Sequence, residues 1–176
     1  MEVPYLRLER AYNRGSLSLA NAIKIGVGEL AVARNPLVLT TVVGSCIAVI
    51  LYDYQNKVGG LAHVILPKPK LNRYGRYEEN EAGKYASTAI PFLLQRMIQA
   101  GADKERIVAG IIGGASILPL LGNLNVGQRN IDATCEILSQ KGIPIIIKDV
   151  GGNSGRVVFF DIKAGVVTVI YSRKEF

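Results

Sequence analysis

The sequence predicts an α+β fold: a single layered α/β sandwich in which two long helices pack on mixed, mostly antiparallel sheets. The chain has 176 residues, of which 49% are hydrophobic, and this is enough for one substantial core. Seven or eight short apolar runs are typical of strands, and two longer segments carry apolar residues at helical spacing. Packing helices on one side of a sheet buries the apolar surfaces of both.

The strands are predicted from apolar runs that turn residues separate. The run 45–53 is apolar almost throughout, as expected of a strand that is covered on both faces. Residues 54–57 predict a tight turn that pairs this run with 58–66 in an antiparallel hairpin. The other predicted strand segments are 23–27, 30–32, 37–43, 106–113, 143–149, 156–162 and 166–172.

Two segments are predicted to be helices. Apolar residues recur at helical spacing through 82–100, and Gly101 marks the end of that helix. The second helix spans 125–140 and ends before Gly142. Between strand and helix, the polar, proline-containing segment 67–80 is expected to be the longest loop.

Composition predicts a cytoplasmic protein. No apolar run approaches the roughly 20 residues that cross a bilayer, so no membrane insertion is expected. The first residues show no secretory signal pattern, and two cysteines are too few for a disulfide framework. We expect residues 1–22 to form an N-terminal extension and residues 23–176 to form the domain.

A net charge of +7, from 21 basic and 14 acidic residues, favours acidic partners. One loop combines basic and aromatic side chains: Lys68, Lys70, Arg73, Tyr74, Arg76 and Tyr77. An RNA-binding domain is therefore one alternative function, although no recognised nucleic-acid module is present and no nucleic-acid partner is expected. A steep fall of RNA affinity with rising salt concentration would identify such a domain.

One cysteine and the only histidine of the chain form the candidate catalytic pair. Cys46 begins a predicted strand, and His63 lies 17 residues later on the predicted partner strand. A thiol needs a nearby base to act as a nucleophile at neutral pH. Gly44 and Ser45 place this thiol at the mouth of the strand, where exposed backbone N–H groups can bind an oxyanion. The alternative is that both residues belong to the core.

The remaining candidates are weaker. Cys135 lies on the apolar face of a predicted helix and is interpreted as a core residue. One histidine and two separated cysteines do not have the spacing of a zinc site, so no metal is expected. Gly114 and Ser116 belong to a glycine cluster that either lines a pocket or only forms a turn at a strand end.

Six ordered motifs resemble the chemoreceptor glutamine deamidase family, CheD. The resemblance covers residues from about 23 to 160, and the motif from Gly127 to Asn130 opens the second predicted helix. In chain order the motifs are Gly44-Ser45-Cys46, Gly59-Gly60-Leu61-Ala62-His63 with Leu66-Pro67, Lys84-Tyr85, Gly113-Gly114-Ala115-Ser116, Asn125-Val126-Gly127-Gln128-Arg129-Asn130 and Asp149-Val150-Gly151-Gly152.

The resemblance implies a cytoplasmic, cofactor-free hydrolase that converts glutamine side chains of methyl-accepting chemotaxis receptors to glutamate. It implies Cys46 as nucleophile and His63 as base. It assigns Thr40, six residues before the cysteine, as the residue that orients the imidazole, and Thr41 is a rival for that role. A layered fold like that of deamidating bacterial toxins, and binding to the chemotaxis phosphatase CheC, are also implied.

A second alternative function is a non-catalytic adaptor for receptor helices or the phosphatase. Large aliphatic residues follow the glycine cluster and offer an apolar partner surface: Ile117, Leu118, Leu120 and Leu121. Leu118 stands where the family pattern has an aromatic residue. A core location for this stretch is equally compatible with its composition.

Overall fold

The fold is known from a computed structural model that describes residues 6–11, 22–70, 73, 82–116 and 125–172. Within these residues there are ten strands, two α-helices and one short 3-10 helix. In chain order the elements are β1 (Arg7–Ala11), β2 (Ala22–Lys24), β3 (Leu30–Arg34), β4 (Val38–Val43), β5 (Ile47–Asp53), β6 (Val58–Val64), α1 (Ala86–Gln99), the 3-10 helix (Lys104–Arg106), β7 (Ile107–Gly113), α2 (Val126–Gln140), β8 (Ile145–Val150), β9 (Arg156–Asp161) and β10 (Val166–Tyr171).

The strands form two five-stranded sheets. Sheet 1 has the order β1-β10-β9-β4-β2, and sheet 2 has the order β3-β6-β5-β7-β8. The β1–β10, β2–β4 and β7–β8 pairs are parallel, and the other pairs are antiparallel. The prediction of an α+β architecture with mixed sheets is confirmed, whereas the likeness to deamidating toxins remains a prediction.

Three layers follow from two separate hydrophobic clusters. One cluster lies between sheet 2 and the helices, and the other lies between the two sheets. Sheet 2 is therefore covered on both faces, and all seven residues of β5 are buried. This burial explains why β5 reads as an unbroken apolar run rather than as an alternating one.

The first helix begins later than its apolar spacing predicts. Residues 82–84 form a turn, and the backbone around Tyr85 bridges to Leu66 before the helix starts at Ala86. A side chain on Gly83 would place its Cβ 2.2 Å from the carbonyl oxygen of Gly28, so this turn packs directly against backbone. The apolar pattern thus continues into a turn that is not helical, in which Gly83 is buried and Ala82 is exposed.

The N-terminal segment takes part in the sheet. β1 pairs with β10 at the edge of sheet 1, and the side chain of Leu6 packs into the cluster between the sheets. Residues 6–11 of the predicted N-terminal extension therefore pack on the domain, and the boundary at residue 22 stays a prediction. This strand was not predicted from the sequence, because its charged residues obscure any alternation of apolar and polar residues.

A buried carboxylate joins the two sheets. Asp149, which is 5% exposed at the end of β8, accepts hydrogen bonds from the Nε of Arg156 at 3.1 Å and from the hydroxyl of Tyr171. The Nε of Arg10 donates to the same carboxylate from the protein surface. Arg156 also donates to the carbonyl of Gly151, so this network holds the glycine loop after β8.

Replacing Arg156 with leucine is expected to lower the free energy of unfolding by about 3–5 kcal/mol, because the Asp149 carboxylate loses its buried cationic partner and keeps only the exposed Arg10. Chemical denaturation followed by circular dichroism measures the change. Arg10→Leu is the matched control, because Arg10 is exposed and its loss leaves Arg156 on the carboxylate. Equal effects of the two substitutions would contradict this account of the network.

Candidate active site

The β5–β6 hairpin brings Cys46 and His63 to the same region. Ala48 is directly opposite His63 in the antiparallel register, and Cys46 precedes Ala48 by two residues. Both Cys46 and Ala48 belong to the cluster between the sheets, as does Leu61, which shares a face with His63. The thiol, one residue before β5 begins, thus lies on the same side of sheet 2 as the imidazole.

A threonine from the opposite sheet contacts the imidazole. The hydroxyl of Thr41 on β4 lies 2.8 Å from the Nδ1 of His63 and 2.8 Å from the carbonyl oxygen of Ile25. Thr41 is 1% exposed and His63 is 2% exposed, so water does not compete for these bonds. The bond therefore spans the layer between the two sheets.

The tautomer of His63 follows from this arrangement. A hydroxyl has one hydrogen, and the Ile25 carbonyl can only accept, so Thr41 donates to Ile25. The Thr41 oxygen must then accept a hydrogen bond from the Nδ1–H of His63. A neutral imidazole that carries its proton on Nδ1 leaves Nε2 unprotonated. The site thus has a base whose free lone pair is on Nε2.

Thr40 does not make this contact. Successive side chains on a strand point to opposite faces, so Thr40 faces away from the layer that holds His63. It lines a shallow surface hollow with Lys24 and Phe159. The structure thus places Thr41 rather than Thr40 against the imidazole, and which of the two is the third catalytic residue stays a prediction.

Burial keeps the thiol and the imidazole uncharged. It raises the pKa of Cys46, although a hydrogen bond from the backbone N–H of the same residue acts in the opposite direction. It lowers the pKa of His63. Both groups are therefore neutral at pH 7. Cys46 is half-buried, whereas the imidazole is sealed from solvent.

The backbone around Cys46 is fixed by the glycine cluster after β7. The N–H of Gly114 donates to the Cys46 carbonyl at 2.9 Å, and the N–H of Ala115 donates to the Gly44 carbonyl at 2.8 Å. Gly113 has a φ of 120°, and a Cβ there would lie 2.2 Å from the Cys46 carbonyl oxygen. Only glycine permits this close approach.

The other predicted site residues have different positions. Gly114 is buried against Ile131 of α2, and its N–H donates to the carbonyl of Cys46. Ser116 is exposed, and its N–H donates to the carbonyl of Gly152. The candidate partner surface, consisting of Ile117, Leu118, Leu120 and Leu121, lies outside the described residues.

Sequence reasoning missed one residue of this site. Asn130, a fully buried residue of α2, donates from Nδ2 to the carbonyls of Ser45 at 3.0 Å and Ile65 at 2.8 Å. It belongs to a motif that carries the family resemblance, but no role was assigned to it. A polar residue on the buried face of an amphipathic helix was the available signal.

The described residues also include two free thiols, Cys46 and Cys135, which are far apart in the sequence. Among the described residues, no three histidine, cysteine or acidic side chains are grouped as they would be around a metal ion. In the same part of the chain, neither helix has the length and hydrophobicity that a bilayer-spanning helix requires.

Fold and site together define a three-layered α+β protein with a cysteine, a histidine and a threonine at the seam between its sheets. The profile of the family described as "CheD chemotactic sensory transduction" matches residues 65–170. The chain belongs to the CheD family.

Three relatives show how far the similarity extends, and each is named a probable chemoreceptor glutamine deamidase CheD. The protein of Methanococcus vannielii is 40% identical over 148 residues, which cover 84% of this chain and 93% of the relative. The protein of Archaeoglobus fulgidus is 38% identical over 157 residues, covering 88% and 96%. The protein of Geobacillus kaustophilus is 37% identical over 164 residues, covering 90% and 98%.

His63 is expected to titrate below about 6.5, its ordinary value, because burial disfavours the imidazolium ion. The unfolded chain then binds more protons than the folded one as the pH falls below that value, so stability falls on acidification. Since the chain has a single histidine, its proton NMR signal can be followed without assignment. A midpoint above 6.5 would contradict the buried neutral ring.

Thr41→Val is expected to release the imidazole from its Nδ1–H form and to lower the free energy of unfolding by about 1–3 kcal/mol, because the Ile25 carbonyl and the ring lose their partner. Nitrogen-15 NMR of the single histidine reads the tautomer directly. Thr40→Val, one residue away on the outer face, should leave the tautomer unchanged. A shift in the Thr40 variant alone would reverse the assignment.

Proposed function

We propose that this protein hydrolyses glutamine side chains of chemotaxis receptors to glutamate and ammonia, with Cys46 as nucleophile and His63 as base. One observation carries the proposal: the Thr41–His63 hydrogen bond leaves Nε2 unprotonated on the face that Cys46 shares. The substrate class is supported by the relatives named above, each of which matches this chain over most of its own length.

In the first step, Nε2 of His63 takes the proton of the Cys46 thiol as the sulfur attacks the carboxamide carbon. A carbon–sulfur bond forms, and the carbonyl oxygen becomes an oxyanion. Among the described residues, the N–H groups of Ser45 and Cys46 donate to no backbone carbonyl. These two groups are the proposed oxyanion donors.

The tetrahedral intermediate then collapses. The imidazolium gives its proton to the amide nitrogen, the carbon–nitrogen bond breaks, and ammonia leaves a thioester on Cys46. Water next loses a proton to Nε2 and attacks the thioester carbon. The carbon–sulfur bond breaks, the thiolate regains a proton from the imidazolium, and glutamate is released. The balance is one amide and one water converted to one acid and one ammonia.

Thr41 is the proposed third member of the site, in a positioning role. The Nδ1–H of His63 points at the Thr41 oxygen both before and after Nε2 gains a proton. The dipole of the Ile25 carbonyl behind that hydroxyl stabilises the transient imidazolium. This role needs no charged group, which suits an imidazole that is 2% exposed in the resting protein.

The proposed partners are cytoplasmic helices of the receptors, as substrate, and the chemotaxis phosphatase CheC. The receptor assignment is supported by the relatives' names. The CheC assignment is supported only by the family resemblance of the sequence. A receptor substrate is compatible with the half-exposed thiol, because a glutamine side chain can reach Cys46 from a docked helix.

Incubation with a receptor cytoplasmic fragment is expected to raise the fragment mass by about one unit per converted site, the difference between an amide and an acid, with release of ammonia. Mass spectrometry and an ammonia assay measure both products. Cys46→Ala should abolish conversion, while the matched thiol variant Cys135→Ala should retain it. Tight binding of the fragment without conversion by the unmodified protein would favour the adaptor function instead.

A further inference from the structure

Asn130 connects three parts of the site. Its side-chain amide donates to the carbonyl of Ser45, directly before the candidate nucleophile, and to the carbonyl of Ile65, two residues after the candidate base. The residue itself is on α2, on the far side of sheet 2 from Thr41. One buried side chain therefore fixes the bend at residues 44–46, which contains Cys46, relative to the end of β6.

The two carbonyls also fix the orientation of the amide. Both can only accept, so the Nδ2 of Asn130 must face them and donate both of its hydrogens. The Oδ1 atom is buried and has no hydrogen-bond partner among the described residues. A buried acceptor without a partner costs free energy, so in this part of the chain the two donated bonds are what hold the amide in place.

Holding the Ser45 carbonyl determines where the next N–H points. The atoms of a trans peptide lie in one plane with the carbonyl and the N–H on opposite sides. Since the Ser45 carbonyl points toward α2, the N–H of Cys46 points away from α2. Burial raises the pKa of the Cys46 thiol, and this N–H acts against that rise. The same group is one of the two proposed oxyanion donors.

We infer that Asn130 is a positioning residue that aims the backbone N–H of Cys46 at the reacting sulfur and the oxyanion through its hold on the Ser45 carbonyl. The inference rests on the proposed deamidation for its kinetic consequence, but the effect on the thiol is independent of any substrate. Asn130 acts through the backbone and does not itself touch the reacting atoms.

The test uses the full-length chain in a Cys135→Ala background, so that Cys46 is the only thiol. Asn130→Ala removes both donated bonds, and Asn130→Asp keeps the size of the side chain but presents an oxygen to the two carbonyls. The matched control is Thr134→Val, one turn later on α2. Thr134 is also fully buried, and its hydroxyl makes no hydrogen bond to any residue that the structure describes.

Two readouts separate positioning from folding, and both are taken below the melting temperature of each variant. The first is the pH dependence of Cys46 alkylation by iodoacetamide, which is expected to move to higher pH in both Asn130 variants. The second is receptor-fragment deamidation. There kcat is expected to fall by about 10- to 100-fold with little change in KM, because an oxyanion donor acts in the transition state.

The Thr134→Val variant should match the background protein in both readouts. An unchanged alkylation profile and an unchanged kcat in the folded Asn130 variants would overturn the inference. A shifted alkylation profile in a background protein that converts no glutamine would support the positioning of the thiol by Asn130 and would overturn the proposed deamidation.

Discussion

The site depends on one hydroxyl that bridges the two sheets. Thr41 donates to the Ile25 carbonyl and accepts from His63, so a single side chain fixes the protonated nitrogen of the only imidazole in the chain. The bond is possible only because β4 and β6 face each other across the same buried layer. If the sheets separated, the ring would lose its tautomer and its orientation together.

Burial disfavours the charged forms of Cys46 and His63, and the oriented dipoles around the two side chains offset this cost. Burial raises the pKa of Cys46 and lowers the pKa of His63, so a resting thiolate–imidazolium pair is disfavoured. In the proposed reaction the charged forms arise only transiently, and oriented dipoles stabilise them more effectively than water does. Gly113, Gly114 and Asn130 fix the carbonyls around the cysteine, which leaves the adjacent N–H groups available.

Much of the fold could be read from periodicity. The β5–β6 hairpin is confirmed close to its predicted limits because a doubly covered strand needs an unbroken apolar run. α2 begins one residue after its predicted start, where Asn125 accepts a capping bond from the backbone. β1 could not be read, because its pairing with β10 lies far away in sequence and its own residues are mostly exposed.

The sequence by itself determined the hairpin that places Cys46 directly before β5 and His63 on β6, since a short turn fixes the register of the two strands. Only the tertiary structure decided which of two adjacent threonines reaches the imidazole. Thr40 and Thr41 have the same side chain, and alternation gives them opposite faces without saying which face is inside. The packing of sheet 1 on sheet 2 turns Thr41 inward, and contacts between separate sheets leave no local pattern in the chain.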